Sequence, residues 1–151
     1  MAKAEGKKGS ITVRPMVDED ITSVLEIDRK ITGKERAVTY RDLVDSYIGG
    51  DLGLSCVAES DNKVVGFVMG RLSYSEYPVV ESGRIQIMGV DPDYWRQGIG
   101  SLLVQGFVDL CRSKGIGLVH MAVNSRDDKL QLFLQGISFA RRELVEFWKK
   151  I

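Results

Sequence analysis

One segment near the middle of the chain constrains the fold more than any other. It reads Val90-Asp-Pro-Asp-Tyr-Trp-Arg-Gln-Gly-Ile-Gly-Ser-Leu-Leu103 and runs from an apolar stretch, through a turn, into an amphipathic pattern. The first N–H groups of a helix have no partner within the helix, and they point in one direction. Gly98 and Gly100 let the backbone approach a phosphate with no side chain in the way. The segment therefore predicts a strand–turn–helix cradle for an anionic ligand.

Two other glycine-rich phosphate sites do not fit these letters. A nucleotide-triphosphate loop requires Gly-x-x-x-x-Gly-Lys-Ser/Thr, and no lysine follows Gly100. A dinucleotide fingerprint requires a third small residue, where this chain has Leu103. It also requires an acidic residue about 20 residues further on, where this chain has His120 and Met121. A turn that only lets the helix pack on the strand is the remaining structural alternative.

The overall composition limits the class of protein. With 151 residues, the chain is long enough for one domain with a hydrophobic core. Its 21 basic and 21 acidic side chains leave no net charge to attract nucleic acid or an anionic membrane. No apolar run is long enough to span a bilayer. Residues 1–10 predict a flexible tail without the apolar core of a signal peptide. We therefore expect one domain over residues 11–151, with neither nucleic acid nor a membrane as partner.

The cysteines and the histidine narrow the chemistry further. Cys56 and Cys111 lie far apart in apolar segments, which favours buried thiols in a reducing cytoplasm over a disulfide. His120 is the only histidine and no cysteine cluster lies near it, so we expect no metal site. A half-buried position in a strand explains His120 better than catalysis does. These residues favour a cytoplasmic protein without a metal.

Hydrophobic periodicity predicts the order strand, two helices, three strands, helix, strand, helix, strand. Asp18 or Asp20 is expected to cap the first helix, and Gly33 to end it. Asp61-Asn62 predicts a tight hairpin turn, and Gly115 is expected to end the helix after the glycine turn. The predicted strands are 11–16, 52–59, 63–73, 84–90, 117–123 and one or two within 137–147. A second helix is predicted at 40–48 and a short one after Asp128.

Three of these elements carry finer predictions. The helix after the glycine turn presents one apolar face. The residues of that face are Ile99, Leu102, Leu103, Gly106, Phe107 and Leu110. The strand at 117–123 is apolar nearly throughout, which predicts cover on both of its faces. The segment 74–82 contains Pro78 and polar residues, and it is expected to be a loop or a poorly formed strand end. Together these elements predict a mixed α/β sheet.

The glycine segment resembles the acetyl-CoA-binding motif of the GNAT superfamily of N-acetyltransferases. That motif reads Gln/Arg-x-x-Gly-x-Gly/Ala after a strand that ends in Val-x-Pro. The order of elements is similar as well: residues 64–68 resemble the third strand of the family, and Ser138-Phe139 stands where Gly-Phe is usual. The resemblance implies the GNAT-like fold, in which helices flank a mostly antiparallel sheet that splays between its fourth and fifth strands. It also implies acetyl-CoA as cosubstrate.

The resemblance further implies a set of cofactor-binding residues. The thioester and its carbonyl would lie along the backbone of the fourth strand, at Met88, Gly89 and Val90. The backbone that would hold the pyrophosphate belongs to Gln97, Gly98, Ile99, Gly100 and Ser101. Arg96 would lie near the phosphates, unless it is only a solvated loop cation. Asn124 would contact the pantetheine arm, or would only cap the next helix.

The chain departs from the family pattern at two positions. Trp95 stands where Gln or Arg is usual, although Arg96 and Gln97 follow directly. The tyrosine that many members place four residues before Gly-Phe is replaced by Leu134, with Phe133 beside it. Neither side chain can donate a proton to a leaving thiolate. The proton must then come from water or from another side chain.

A general base is hard to assign. Many family members carry a carboxylate on the fourth strand, where this chain has Gln86, which can orient a water but cannot accept its proton. The nearest carboxylates are Glu81 and Glu76, although both could be surface charges. We place Glu81 before Glu76. Glu81 and Gln86 are therefore the predicted catalytic side chains.

The resemblance implies that a primary amine attacks the thioester directly, because no nucleophile for a covalent intermediate is evident. The acceptor is expected to be a small amine or a protein amine, and the groups that could attract it are Glu26, Asp28, Tyr40 and Glu76. The segment 143–150 could pair with a second subunit in a homodimer. Two alternatives stay open, a non-catalytic acyl-CoA-binding sensor and an α/β domain that binds no CoA.

Overall fold

The computed structural model describes residues 9–34, 46–49, 52–75 and 80–151. Its strands are β1 (Ile11–Pro15), β2 (Cys56–Ser60), β3 (Lys63–Ser75), β4 (Val80–Val90) and β5 (Val119–Met121). Its helices are α1 (Ile21–Thr32), α2 (Ile99–Ser113) and α3 (Asp128–Gly136). Short 3-10 turns precede α1 and α2, at Asp18–Asp20 and Pro92–Tyr94. The chain divides into two units, Met1–Met121 and Ala122–Ile151, so that the sheet, α1 and α2 belong to the first and α3 to the second.

The five strands lie side by side in chain order in one sheet. The first four are antiparallel, whereas β5 runs parallel to β4 over the three pairs from Gly83–Val119 to Ile85–Met121. Asp61 and Asn62 connect β2 to β3 with φ angles of 50° and 61°, as a type I′ hairpin turn requires. The mixed, mostly antiparallel sheet confirms the predicted fold class. The prediction of one domain over residues 11–151 stays a prediction.

The fourth strand begins earlier than the sequence indicates. The segment 74–82 was predicted as a loop, but β3 continues to Ser75 and β4 begins at Val80. The two strands still pair at Tyr74–Glu81. An antiparallel partner satisfies the backbone groups, so polar side chains at an exposed end do not terminate the strand. Residues 76–79 lie outside the described residues.

Helices α1 and α2 cover opposite faces of the sheet. Phe107 of α2 lies so close to Gly70 and Gly83 that a Cβ atom at either glycine would collide with its ring or with Cys111. On the other face, Phe67 and Met69 of β3 belong to a core cluster with residues of α1. The α1 members of that cluster are Ile21, Val24 and Ile27. Successive strand residues face opposite sides, which explains how one strand serves both helices.

The buried face of α2 differs from the predicted one. Leu102 is 44% exposed, so its predicted place in the apolar face is wrong. The buried residues are Ile99, Leu103, Val104, Phe107 and Cys111. The spacing of four residues from Ile99 to Cys111 turns Leu102 away from the sheet. Both thiols are free and buried as predicted, and burial raises the pKa of Cys56 to about 12 and that of Cys111 to about 11.

Helix α1 ends as predicted but begins differently. Gly33 ends it with a φ of 69°. The Asp20 carboxylate does not cap α1; it accepts hydrogen bonds from the Arg14 guanidinium at 2.8 Å and from the Val17 N–H at 2.9 Å. Burial alone would raise the pKa of Asp20, but these hydrogen bonds outweigh it, and the pKa lies below its ordinary value. The carboxylate therefore holds α1 to β1.

The C-terminal part departs most from prediction. Strand β5 has three half-buried residues, including His120, so the prediction of a long strand covered on both faces is wrong. Residues 137–151 form no strand, and residues 140–151 are all exposed. A strand needs a partner for its backbone groups, and in the part of the chain that the structure describes this segment has none. The predicted helix at 40–48 lies mostly outside the described residues. Among the described helices, none is long and apolar enough to cross a membrane.

Candidate functional site

The turn after β4 is anchored by one buried carboxylate. Asp91 is 2% exposed, and its side chain accepts a hydrogen bond from the Asp93 N–H at 3.0 Å. The Lys30 ammonium of α1 lies 2.8 Å from Asp91 and 3.4 Å from Asp93. Burial alone would raise the pKa of Asp91, but the hydrogen bonds from Lys30 and the Asp93 N–H lower it. The ionised carboxylate thus holds the end of β4 to α1.

The next three residues of the turn have an unusual backbone. The Trp95 indole N–H donates to the Val90 carbonyl at 2.7 Å and folds the turn back on the strand end. Arg96 has a φ of 61° and Gly98 a φ of 77°. The left-handed region costs a residue other than glycine about 1 kcal/mol. Such strain is often found where the backbone must present its groups to a ligand.

Helix α2 begins on this turn with unpaired N–H groups. Its first backbone hydrogen bond runs from the Leu102 N–H to the Gly98 carbonyl, at 3.2 Å. The N–H groups of Ile99, Gly100 and Ser101 therefore have no partner within the helix. The Ile99 side chain is 1% exposed and fixes the first turn of the helix in the core. A Cβ atom at Gly98 would meet nothing within 4 Å, so the space beside these groups can admit an anion.

The last part of β4 has one unpaired edge. Pairing with β5 ends at Ile85–Met121, whereas pairing with β3 continues to Val90. The Asp91 N–H donates to Val65 in line with β3. Backbone N–H groups alternate between the two sides of an antiparallel strand, so those of Met88 and Val90 face the other edge, where the described sheet has no strand. This is the splay predicted between the fourth and fifth strands.

Gln86 lies where that edge opens. Met69 pairs with Ile87 and Gly70 with Ile85, so Gln86 is the extra residue of a β-bulge, and its side chain is exposed. Bulges often redirect a side chain next to an active site. Glu81 is also exposed, but it lies seven residues before Met88, about 20 Å away along a strand. The structure therefore brings Gln86 near the unpaired N–H groups and does not bring Glu81 there.

The remaining predicted site residues fall elsewhere. Asn124 belongs to the second unit, where its side-chain oxygen accepts from the Arg126 N–H at 2.9 Å. Asp127 caps α3 through the Leu130 N–H at 3.0 Å, so the alternative role of Asn124 as helix cap is wrong. Glu26 of α1 is exposed, whereas Asp28 is 4% exposed. Tyr40 and Glu76 lie outside the described residues.

Two features of this site were missed in the sequence. The pair of Lys30 and Asp91 joins residues 61 positions apart, and no local pattern indicates it. Asp91 alone could have been noticed, because an aspartate before a proline commonly begins a turn. The bulge at Gln86 depends on the register between two strands, which the sequence does not state. No local signal marks it.

The cradle and the open strand edge together define a class of protein that holds an anionic cosubstrate by its backbone. The family model described as acetyltransferase (GNAT) family matches residues 21–136. The chain therefore belongs to the GNAT acetyltransferase family, as the resemblance predicted. GNAT enzymes are acyltransferases that use acetyl-CoA, which confirms the predicted class of enzyme and its cosubstrate at the level of the family.

A sequence relative and several solved structures are similar to this chain. An uncharacterized N-acetyltransferase of Methanocaldococcus jannaschii is 27% identical over 96 residues, which are 63% of this chain and 42% of that protein. The match thus spans less than half of the relative's length. Aminoglycoside N-acetyltransferase AAC(6')-Iy in complex with CoA has a TM-score of 0.83 at 14% identity, with 99% of both chains covered. A possible acetyltransferase from Clostridium difficile 630 has a TM-score of 0.78 at 19% identity, covering 93% of this chain and 97% of that one. At these identities the solved structures establish the fold alone.

Proposed function

We propose that this chain transfers the acetyl group of acetyl-CoA to a primary amine. The observation that carries the proposal is the pair of inward-facing N–H groups of Met88 and Val90, next to a helix N-terminus that suits a phosphate. When bound, acetyl-CoA supplies an acyl carbon that an amine attacks, with the thiol as leaving group. An N–H group at Met88 or Val90 stabilises the negative charge that develops on the carbonyl oxygen. The loss of one such donor typically costs about 3–4 kcal/mol of activation free energy.

The turn residues hold the anionic part of the cosubstrate in this proposal. The N–H groups from Gln97 to Ser101 donate to the pyrophosphate oxygens, and the exposed Arg96 side chain adds a positive charge nearby. Met88, Gly89 and Val90 line the thioester, and Asn124 contacts the pantetheine arm. The open space beside Gly98 supports this assignment. Each of these contacts is a proposal.

Direct attack by the amine is favoured over a covalent enzyme intermediate. A cysteine nucleophile must be accessible and easily ionised. Cys56 and Cys111 are both buried, and burial raises the pKa of each thiol well above neutrality. The proposed proton acceptor is therefore a water molecule that the Gln86 amide orients. Glu81 stays a second candidate, which could act only through a longer chain of waters.

A thiol-release assay over a panel of amines tests the proposal, alongside calorimetry with acetyl-CoA. We expect acetyl-CoA to bind and at least one primary amine to be acetylated. Binding without turnover of any amine would instead favour the non-catalytic sensor, whose supporting observation is that Gln86 replaces the carboxylate expected on this strand. No binding at millimolar acetyl-CoA would contradict both functions.

We also propose that the chain forms a homodimer through its C-terminal segment, residues 140–151. Its large apolar side chains are exposed by 62% to 110%. They are Leu144, Val145, Phe147, Trp148 and Ile151. Apolar groups exposed to this extent mark an interaction surface. The segment carries charges of both signs, so it can pair with a second copy of itself, and β5 offers that copy the unpaired edge of the sheet.

Sedimentation velocity tests the homodimer. The wild type is expected to sediment at twice the chain mass of 16.8 kDa. Phe147→Asp combined with Trp148→Asp should give the monomer. Leu132→Asp is the matched control, because Leu132 is 68% exposed on α3 outside the segment. A monomeric wild type, or a double variant that stays dimeric, would contradict this assignment.

A further inference from the structure

We infer that the acceptor amine carries a carboxylate or phosphate group, recognised by Arg71 and Arg84. This inference rests on the proposed acetyl transfer, and it names the chemical class of the acceptor. It concerns the first half of β4, away from the acetyl-CoA cradle. The evidence is the register of three strands, the side of the sheet that the arginines share, and the lack of a carboxylate partner.

The two arginines lie next to each other across the sheet. Arg71 of β3 is paired in register with Arg84 of β4. Arg84 is in turn paired with His120 of β5. Basic residues therefore occupy one row across three strands. Directly opposed like charges destabilise a sheet unless an opposite charge lies between them.

The row faces the α1 side of the sheet. Gly70 and Gly83, which precede the two arginines, both face Phe107 of α2. Alternation along a strand therefore turns Arg71 and Arg84 to the other face. Arg71 lies over the Tyr47 ring, 5.5 Å from its centroid, and Tyr47 belongs to the same core cluster as α1. The row thus continues the apolar core with positive charge.

Neither arginine has an anionic partner among the described residues. Arg71 contacts the Tyr47 ring, and the buried Nε atom of Arg84 has no hydrogen-bond partner. Arg14 shows the contrasting arrangement, because its guanidinium bonds Asp20 and Glu59 at 2.8 Å each. A buried donor left without an acceptor is costly, and a carboxylate or phosphate would satisfy it. The arginine row is therefore suited to an anion that arrives with the substrate.

The spacing limits the shape of the acceptor. Arg84 lies four residues before Met88, about 13 Å along the strand. The long arginine side chain covers part of that distance. The amine and the anionic group of the acceptor must therefore be several bonds apart, as in an ω-amino acid. A polycation would be repelled at this end of the site.

A matched pair of acceptors tests this inference. We expect 6-aminohexanoate to show a KM at least tenfold lower than 1,6-diaminohexane, and 6-aminohexyl phosphate separates phosphate from carboxylate preference. Arg84→Gln and Arg71→Gln should each raise the KM of the preferred anionic acceptor about tenfold, with kcat and the diamine less affected. Arg84→Lys should recover part of the loss. Arg112→Gln, at an exposed arginine of α2, is the matched control and should change nothing.

Binding measured by calorimetry keeps the two proposals distinct. Tighter binding of the anionic acceptor, lost in Arg84→Gln, supports the inference even if no acceptor is acetylated; that combination overturns only the proposed acetyl transfer. Melting temperature and acetyl-CoA affinity confirm that each variant is folded. Equal or tighter binding of the diamine by the wild type overturns the inference. Anionic binding that is unchanged in folded Arg71→Gln and Arg84→Gln variants overturns it as well.

Discussion

The two halves of strand β4 differ in which groups they leave available. From Val80 to Ile85 the backbone is paired with β3, and its last three residues are also paired with β5, so only side chains can meet a ligand. From Gln86 to Val90 one edge is open, and the backbone itself is available. The comparison suggests a division of labour. Backbone groups hold a cosubstrate common to the family, whereas side chains such as Arg71 and Arg84 select an acceptor specific to this chain.

Gly98→Asp should have the largest effect, because it disrupts the backbone half of the site. A carboxylate beside the N–H groups of α2 would repel a pyrophosphate. We expect acetyl-CoA affinity to fall roughly 100-fold, equivalent to about 2.7 kcal/mol. Isothermal calorimetry measures it. Gly115→Asp is the matched control, because Gly115 has the same φ of 77° and equally open space at the other end of α2. Equal losses in the two variants would mean that backbone strain, and not the cradle, is responsible.

Gln86→Glu should sharpen the comparison by adding a base where the strand edge opens. A carboxylate can accept the proton that the amide can only orient. We expect kcat to rise roughly tenfold at neutral pH, since a positioned base contributes at least that much. Steady-state kinetics at saturating acetyl-CoA measures the change. Gln105→Glu, on the exposed side of α2, is a control for added negative charge. An unchanged kcat would exclude Gln86 from the reaction.

Asp91→Asn tests what holds the two halves in place. The pKa of Asp91 is lowered in the folded chain, so its ionisation stabilises the fold above the ordinary value of 3.8. That contribution is lost as pH falls through the lowered pKa. We expect the variant to melt a few degrees below the wild type at pH 7. The difference should shrink below pH 3.8, as thermal denaturation can measure. A gap independent of pH would show that Asp91 acts only through packing.

Glu81→Gln should have the smallest effect. Glu81 is exposed and about 20 Å from the Met88 N–H along the strand. It also faces the side opposite to Arg84, because an odd number of residues separates the two. We expect kcat to change less than about threefold, far below the roughly 100-fold expected for loss of a general base. A pH–rate profile with both variants, Glu81→Gln and Gln86→Glu, separates the candidates. A loss of 100-fold in Glu81→Gln would restore Glu81 as the base.

The sequence predicted the features that depend on neighbouring residues. The hairpin at Asp61-Asn62, the end of α1 at Gly33 and the start of α2 at the glycine turn follow from local backbone preferences. The family resemblance was carried by the same local turn. The cap at Asp20 was wrong because a distant charge, Arg14, competes for that carboxylate.

Features that depend on strand register or on distant partners could not be predicted. The bulge at Gln86 and the row of Arg71 and Arg84 arise from pairing between strands. Both depend on which residue lies opposite which, and a shift of one residue would turn every side chain to the other face. The strands expected within 137–147 failed for a related reason. Their apolar pattern was correct, but in the part of the chain that the structure describes they have no partner.

Amide hydrogen exchange of the strand edge tests the central claim most directly. The claim is that the N–H groups of Met88 and Val90 are free until acetyl-CoA binds, whereas those of Ile87 and Gly89 are bonded to β3. NMR of the nitrogen-15-labelled protein is therefore predicted to show fast exchange at Met88 and Val90 and slow exchange at Ile87 and Gly89. Saturating acetyl-CoA should slow exchange at Met88 and Val90 and shift their resonances. Four equally protected amides in the free protein, or amides at Met88 and Val90 that acetyl-CoA leaves unchanged, would contradict the account.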